Sequence, residues 1–261
     1  MQTQAQVIGF FGEKGGLGKT TTAVCVAAEL ARQGFKVTLL DCDEPKHEAV
    51  RWALMADEKN LLQFNVEQRG LTQLRGDERF DADFVILDLP GHRSPIFKAA
   101  APLADLVLMP VGPSWDAWSV KPAARLVDSE LGKMARNGRA ALCMRVFFAR
   151  TRPGIRSSVK TIDGLRQTMR AEGVEVLAAE VRDLTAFRER LLDGELPGHK
   201  DREARRDIKA LAQEITTLLK TRRRSHAKQE AARAEARPRP DHPSSAKRRG
   251  GAEGLSEGAA R

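Results

Sequence analysis

The sequence predicts an α/β domain: a mostly parallel central sheet with helices on both faces. Three observations predict it. Apolar runs of strand length alternate along the chain with helix-length stretches. The best-defined runs are continuously apolar, as in strands covered on both faces. The first run passes through a glycine cluster into a helical stretch, which is how a βαβ unit opens.

The elements follow in order. QVIGFF (6–11) is a short apolar strand, and a helix over 18–33 ends at Gly34, where a left-handed C-terminal turn belongs. KVTLLD (36–41) is a second strand. HEAVRWALMADE (47–58) repeats its apolar residues at helical spacing. LLQFNVE (61–67), DFVILDLPG (83–91), DLVLMPVGP (105–113) and ALCMRVFFAR (141–150) supply four more strands, and 174–178 a short seventh. Helices are expected near 95–103, 116–137, 155–172, 184–193 and 200–220.

Ligands of such sheets sit beyond the carboxyl ends of the strands. The first, second and fourth strands end in the glycine cluster, in DCDEP and in DLPGH, so three polar groups converge on one edge. The cluster GGLGKTT lies between a strand and a helix. Gly15, Gly16, Leu17 and Gly18 would turn backbone N–H groups onto phosphate oxygens, helped by the helix N-terminus. Lys19 would neutralise the β- and γ-phosphates, Thr20 would place its hydroxyl on Mg²⁺, and Thr21 would reach the α-phosphate. Glu13 stands where the common phosphate loop has its first glycine. Asp88 follows the apolar run FVIL, where a carboxylate can hold a metal-bound water. Asp41 and Asp43 flank Cys42. One would hold metal water and the other would orient, or take a proton from, the attacking water. The residue types do not say which does which.

Composition bounds the partners. Net charge is +9 with a pI of about 9.8, which favours polyanions, with nucleic acid ahead of an anionic membrane. From Thr221 to Arg261 eleven Lys/Arg face five Asp/Glu, and Leu255 is the one large apolar residue. Such a segment cannot bury a core, so the folded domain is expected over 1–220 and a flexible basic tail over 221–261. Cys25, Cys42 and Cys143 have neither pairing nor metal spacing and are expected as buried thiols. The five histidines match no ligand motif, so no zinc site is expected. MQTQAQ lacks a signal core and no apolar run spans a membrane, so a cytoplasmic protein is expected.

These residues carry a resemblance. KGGLGKTTT resembles the deviant phosphate loop K-G-G-x-G-K-[ST] of the ParA/MinD family of ATPases, which lacks the early glycine and carries a signature lysine, here Lys14. LLDCDEP resembles that family's second motif, FDADFVILDLPG its metal-side strand, and DLVLMPVGPS its nucleotide-side strand. The likeness runs from about Gln6 to Lys220. It is nearest to the small plasmid-partition ATPases that lack an N-terminal DNA-binding domain, a reading to which Trp52 and VRDLTAFRERLLDGELP contribute.

The resemblance implies ATP/ADP and Mg²⁺ as cofactors and a homodimer closed by ATP. Lys14 would contact phosphate across the dimer, Asp43 would be the switch residue, Asp41 would lie on the metal side and Asp88 would serve Mg²⁺ through water. Pro110, Gly112 and Pro113 would line the nucleotide and Arg150 would lie near the base. The resemblance also implies non-specific DNA binding by the ATP dimer, nucleoid association, and a small centromere-binding partner of ParB or ParG type. Arg156, Lys160 and Arg170, with Arg202, Arg206 and Lys209, recur at helical spacing and are candidates for DNA phosphates; a solvated face is the alternative. No membrane partner is expected, because the tail has a single leucine where a membrane helix needs several large apolar residues. A nitrogenase-reductase-like reading fails on the placement of the cysteines. One departure stands out: Glu44 precedes Pro45 where the family has proline directly, which places the turnover rate in question. Two alternatives stay open, a related ATPase that positions another cargo and a nucleotide-gated binding module with negligible turnover.

Overall fold

The computed structural model describes residues 5–12, 15–74, 79–91, 95–100, 103–112, 143–152, 154, 156–196 and 200–235. Seven strands form one sheet: β1 (Gln6–Phe10), β2 (Val37–Asp41), β3 (Asn65–Gln68), β4 (Phe84–Asp88), β5 (Leu106–Val111), β6 (Cys143–Thr151) and β7 (Val176–Arg182), in the order β3-β2-β4-β1-β5-β6-β7. Every pairing is parallel. The central strands read VIGF, FVILD and LVLMPV because they are buried on both faces.

The helices are α1 (Lys19–Arg32), α2 (Glu48–Glu58), α3 (Pro95–Ala100), α4 (Arg156–Ala171), α5 (Thr185–Glu189) and α6 (Arg202–Glu235). Two apolar layers result. One is built around Ile8, Phe10, Leu39, Ile86 and Leu108 and is covered by α1, α2, α5 and the start of α6. The other is built around Val7, Leu40, Val85, Leu87 and Val107 and is covered by α3 and α4. Neighbouring residues of one strand belong to opposite layers, as the pleat requires. α1 buries ten of its fourteen residues, so its N-terminus is held firmly against the sheet edge. Gly34 follows it at φ 91, in the left-handed region expected of a helix end.

Three elements differ from the sequence expectation. The third strand begins at Asn65 rather than Leu61, because Leu61 and Leu62 pack on the core as a connection and Phe64 stacks on Trp52 at 5.8 Å. The stretch 184–193 divides into α5 and a 3₁₀ turn, Arg190–Asp193. The last helix does not stop at Lys220: where a flexible tail was expected from Thr221, α6 continues to Glu235. Residues 202–235 contain neither glycine nor proline and are rich in Ala, Arg, Lys, Glu and Gln, so local propensity sustains a helix where a core would not. The compact unit spans Met1–Arg223. The helix expected over 116–137 lies outside the described residues. Cys25, Cys42 and Cys143 are all free and buried, and among the described residues no helix is long and apolar enough to cross a membrane.

Candidate nucleotide site

β1 ends at Phe10, and Gly15 to Gly18 lead into α1 at Lys19. Gly16 and Gly18 both take φ 80, a conformation that side-chain-bearing residues rarely adopt. Gly18 is the N-cap of α1 and has no side chain to close it, so the first N–H groups of the helix stay open to an anion. Lys19 is 7% exposed and folds back over Gly12: a Cβ on Gly12 would lie 3.4 Å from the Lys19 Cδ. Glycine at position 12 therefore leaves room for the lysine stem.

Asp88 ends β4 and Asp41 ends β2, and the two are register partners on adjacent strands. Both are fully buried, but they are used differently. Asp41 is engaged: its Oδ1 accepts from Asp43 N at 3.1 Å and its Oδ2 from Val50 N at 3.0 Å, in the first turn of α2. Neither oxygen of Asp88 accepts a well-formed hydrogen bond. Burial pushes the Asp88 carboxyl up to about 8; Asp41 and Asp43 push the same way, while the Thr20 hydroxyl and Lys19 pull it down. Asp43 is half-buried. Burial raises its carboxyl, Lys19 and Lys46 oppose this, and Asp41 and Glu48 add to it. Glu44 does not turn into the loop; its Oε1 would stand 2.6 Å from a Cβ placed on Gly70, so the carboxylate lies against the segment after β3.

From the first turn of α1 a cleft of about 460 Å³ opens. Gly18, Thr20 and Thr21 line one part, and Arg150, Arg182, Asp183 and Leu184 another. Arg150 takes φ 57 within a register irregularity of β6, between Ala149 and Thr151. A bulge of this kind re-aims a side chain at a sheet edge. Asp183 is held by Arg152 at 2.6 Å and approached by Arg188 at 3.8 Å, and the Arg152 hydrogen bonds keep its carboxyl below the usual range against the effect of burial. Arg182 is clamped by Asp207 and Glu203 of α6, which joins the end of β7 to the last helix. α2 contributes Arg51, Trp52 and Met55 to the cleft.

A phosphate loop on a buried helix, an unpartnered carboxylate at the next strand end and a cleft of nucleotide size form one arrangement. Its relatives agree. The family model described as an AAA domain matches residues 5–72, from β1 to the loop after β3. A ParA protein of Rhizobium radiobacter is 32% identical over 177 residues, 67% of this chain and 77% of that one. The chain belongs to the ParA/MinD family of P-loop ATPases. The maintenance of carboxysome distribution protein A of Gloeobacter kilaueensis is 30% identical over 219 residues, 80% of this chain and 94% of that protein. A plasmid partition protein of Borrelia burgdorferi, solved with AMPPNP, shares the fold with a TM-score of 0.63 at 15% identity, over 82% of this chain and 99% of that one.

Within this ParA/MinD fold the site residues expected from the sequence fall as follows. Gly15, Gly16, Leu17, Gly18, Lys19, Thr20 and Thr21 form the loop and the first turn of α1, and Asp41, Asp43 and Asp88 stand at the adjoining strand ends. Pro110 lies inside β5, with its Cδ 4.0 Å from the Cβ position of Gly12, and Gly112 follows the strand. Arg150 lines the cleft. Lys14 and Pro113 lie outside the described residues. Among the basic candidates Lys160, Arg170, Arg202, Arg206 and Lys209 are exposed, the first two on α4 and the rest on α6, while Arg156 begins α4. Sequence reasoning missed Arg51, Trp52, Met55, Arg182, Asp183 and Arg188 as cleft residues. Trp52 and the stretch 181–197 entered the sequence reading only as family features; that they reach the cleft beside α1 is decided by packing.

Proposed function

We propose that this chain is an ATP-dependent DNA-partition ATPase, in which two subunits close over two ATP molecules, bind DNA without sequence preference, and are reset by hydrolysis stimulated by a small partner. The observation that carries the reading is Asp88, a fully buried carboxylate with two unpartnered oxygens between Lys19, Thr20 and Asp41. Oxygen donors of this kind suit a hard divalent cation with its waters. Among the described residues no cluster of three acidic, histidine or cysteine side chains makes a metal site by itself. Mg²⁺ would therefore rest on the Thr20 hydroxyl, on water held by Asp88, and on phosphate oxygens. When bound it supplies charge neutralisation at the β- and γ-phosphates.

The chain's own residues do the rest. The N–H groups of Gly15 to Gly18 cradle phosphate, Lys19 offsets its charge and Thr21 reaches the α-phosphate. Asp43, whose carboxyl burial raises, orients the attacking water and is placed to take its proton. Asp41, already holding Asp43 N and Val50 N, positions the Asp43 loop on the metal side. Lys14 reaches the partner subunit's nucleotide, so the dimer depends on the γ-phosphate. The ATPase domain is assigned to 1–220. Exposed Lys160, Arg170, Arg202, Arg206 and Lys209, with Arg156 and the basic residues beyond 220, contact DNA phosphates, placing the protein on the nucleoid.

The test is Lys14→Gln. Gel shift on random DNA with ATP and size-exclusion chromatography should show DNA retention and dimerisation lost; both unchanged would sink the mechanism. A second reading keeps the ATPase and changes the cargo. It is favoured by the relative named for carboxysome distribution, 94% of whose length is matched. An adjacent gene for a small ribbon-helix-helix protein supports DNA as cargo; genes for a protein assembly or a polysaccharide synthase support the other. Phosphate release measured with DNA and partner separates both from a nucleotide-gated module of negligible turnover.

A further inference from the structure

Among the described residues, four carry buried polar side-chain atoms without a hydrogen-bond partner: His47 (Nδ1), Trp52 (Nε1), Asp88 (both oxygens) and Thr151 (Oγ1). Each stands at the carboxyl edge of the sheet or in the first turns of α2. Buried polar groups are satisfied in the great majority of cases, so each of these atoms asks for an explanation. Asp88 is explained by the metal side of the site. Trp52 is not. It is 3% exposed, its ring stacks on Phe64, and it lines the nucleotide-sized cleft together with Thr21, Val24 and Arg51. An indole N–H can only donate, so what it lacks is an acceptor.

We propose that the indole N–H of Trp52 reads the nucleoside part of the bound nucleotide, donating to an acceptor on the sugar or the base, and that this contact sets the position of α2 and of the Asp43 loop. The inference rests on the nucleotide-binding reading above. Its coupling step is visible. Val50, two residues before Trp52, donates to Asp41 Oδ2, while Asp43 donates to Asp41 Oδ1. One buried carboxylate therefore ties the first turn of α2 to the Asp43 loop, and a shift of α2 toward an acceptor is passed to Asp43. His47 begins α2 at φ 44, with its Nδ1 3.4 Å from Asp41 Oδ1 and out of line for a hydrogen bond.

Trp52→Phe keeps an aromatic ring against Phe64 and removes the donor. Calorimetric titration of the full chain with ATP should show affinity falling about five- to tenfold, the worth of one hydrogen bond. Affinity for inorganic tripolyphosphate should be unchanged, since the phosphate loop is untouched; a merely structural defect would weaken both. With 2′-deoxyATP and 3′-deoxyATP a sugar acceptor makes the difference between variant and wild type vanish for one of them, whereas a base acceptor preserves it for both. ATP affinity within about twofold of wild type, or an equal loss for tripolyphosphate, overturns the proposal. A wild-type chain that binds no nucleotide instead sinks the underlying reading. Should the variant fail to fold, the indole ¹⁵N–¹H signals of the wild type decide. The Trp52 signal, the one kept in both Trp115→Phe and Trp118→Phe, must move downfield when ATP is added, and an unmoved signal refutes the contact.

Discussion

Replacing Asp88 with asparagine should stabilise the nucleotide-free protein, and should do so only at neutral to alkaline pH. The carboxyl is fully buried, accepts no well-formed hydrogen bond, and is pushed up to about 8 by burial against the pull of the Thr20 hydroxyl. In the unfolded chain an aspartate titrates near 4. Between those values the folded state keeps a proton that the unfolded state gives up. Stability is therefore unaffected by this group below about pH 4, falls as the pH rises toward 8, and levels off above it. Roughly four pH units at about 1.4 kcal/mol each set an upper bound of about 5.6 kcal/mol. Asparagine removes the charge and keeps the shape, but it leaves a buried amide unpaired at a cost of about 1–3 kcal/mol. The expected net gain is at most about 3–5 kcal/mol at pH 8, shrinking to nothing or reversing near pH 5. Urea unfolding followed by circular dichroism from pH 5 to 9, without nucleotide, measures it. The same variant should bind Mg²⁺ and ATP together less well than wild type, the trade expected where a site stores instability. A stability difference between variant and wild type that does not change from pH 5 to 8 would refute the reasoning.

Two further predictions concern the walls of the cleft. Gly194 sits at φ 69, and a Cβ there would meet Met55 Cβ at 2.7 Å and the Ala56 N at 2.9 Å. Gly194→Ala should cost about 2–3 kcal/mol, because backbone strain and a clash with α2 add, and an unchanged urea midpoint would contradict it. Asp207→Ala removes the carboxylate that Arg182 binds at 2.9–3.1 Å and leaves a mostly buried guanidinium with Glu203 alone. A loss of about 2–4 kcal/mol is expected, with nucleotide affinity falling as the β7 end of the cleft loosens. Thermal unfolding and nucleotide titration check the two parts separately.

What the sequence determined by itself is what contiguous residues encode. Gly15 to Thr21 specify a phosphate loop because glycines at φ 80, a following helix N-terminus and a lysine are neighbours in the chain. FVILD and VTLLD read as buried strands ending in carboxylates, and the pattern of loop, DCD and LDLPG was enough to indicate the family. Tertiary structure decided the rest. Asp41 and Asp88 look alike in sequence, yet one is spent on Asp43 and Val50 while the other stays unpartnered. Glu44, an unexplained departure in the chain, is turned against Gly70 by the path of the loop. LLQF reads as strand, but its apolar residues found better burial as a connection packed on α2. The helical run 202–220 extended to Glu235 because only local propensity was needed to continue it. The far wall of the cleft joins residues 51–55, 150 and 182–192, three stretches far apart in the chain that carry no common spacing. Local patterns report the backbone conformations that a short segment prefers. Which side chain is left without a partner depends on what packs over it, and that is settled only when the whole sheet and its helices are in place.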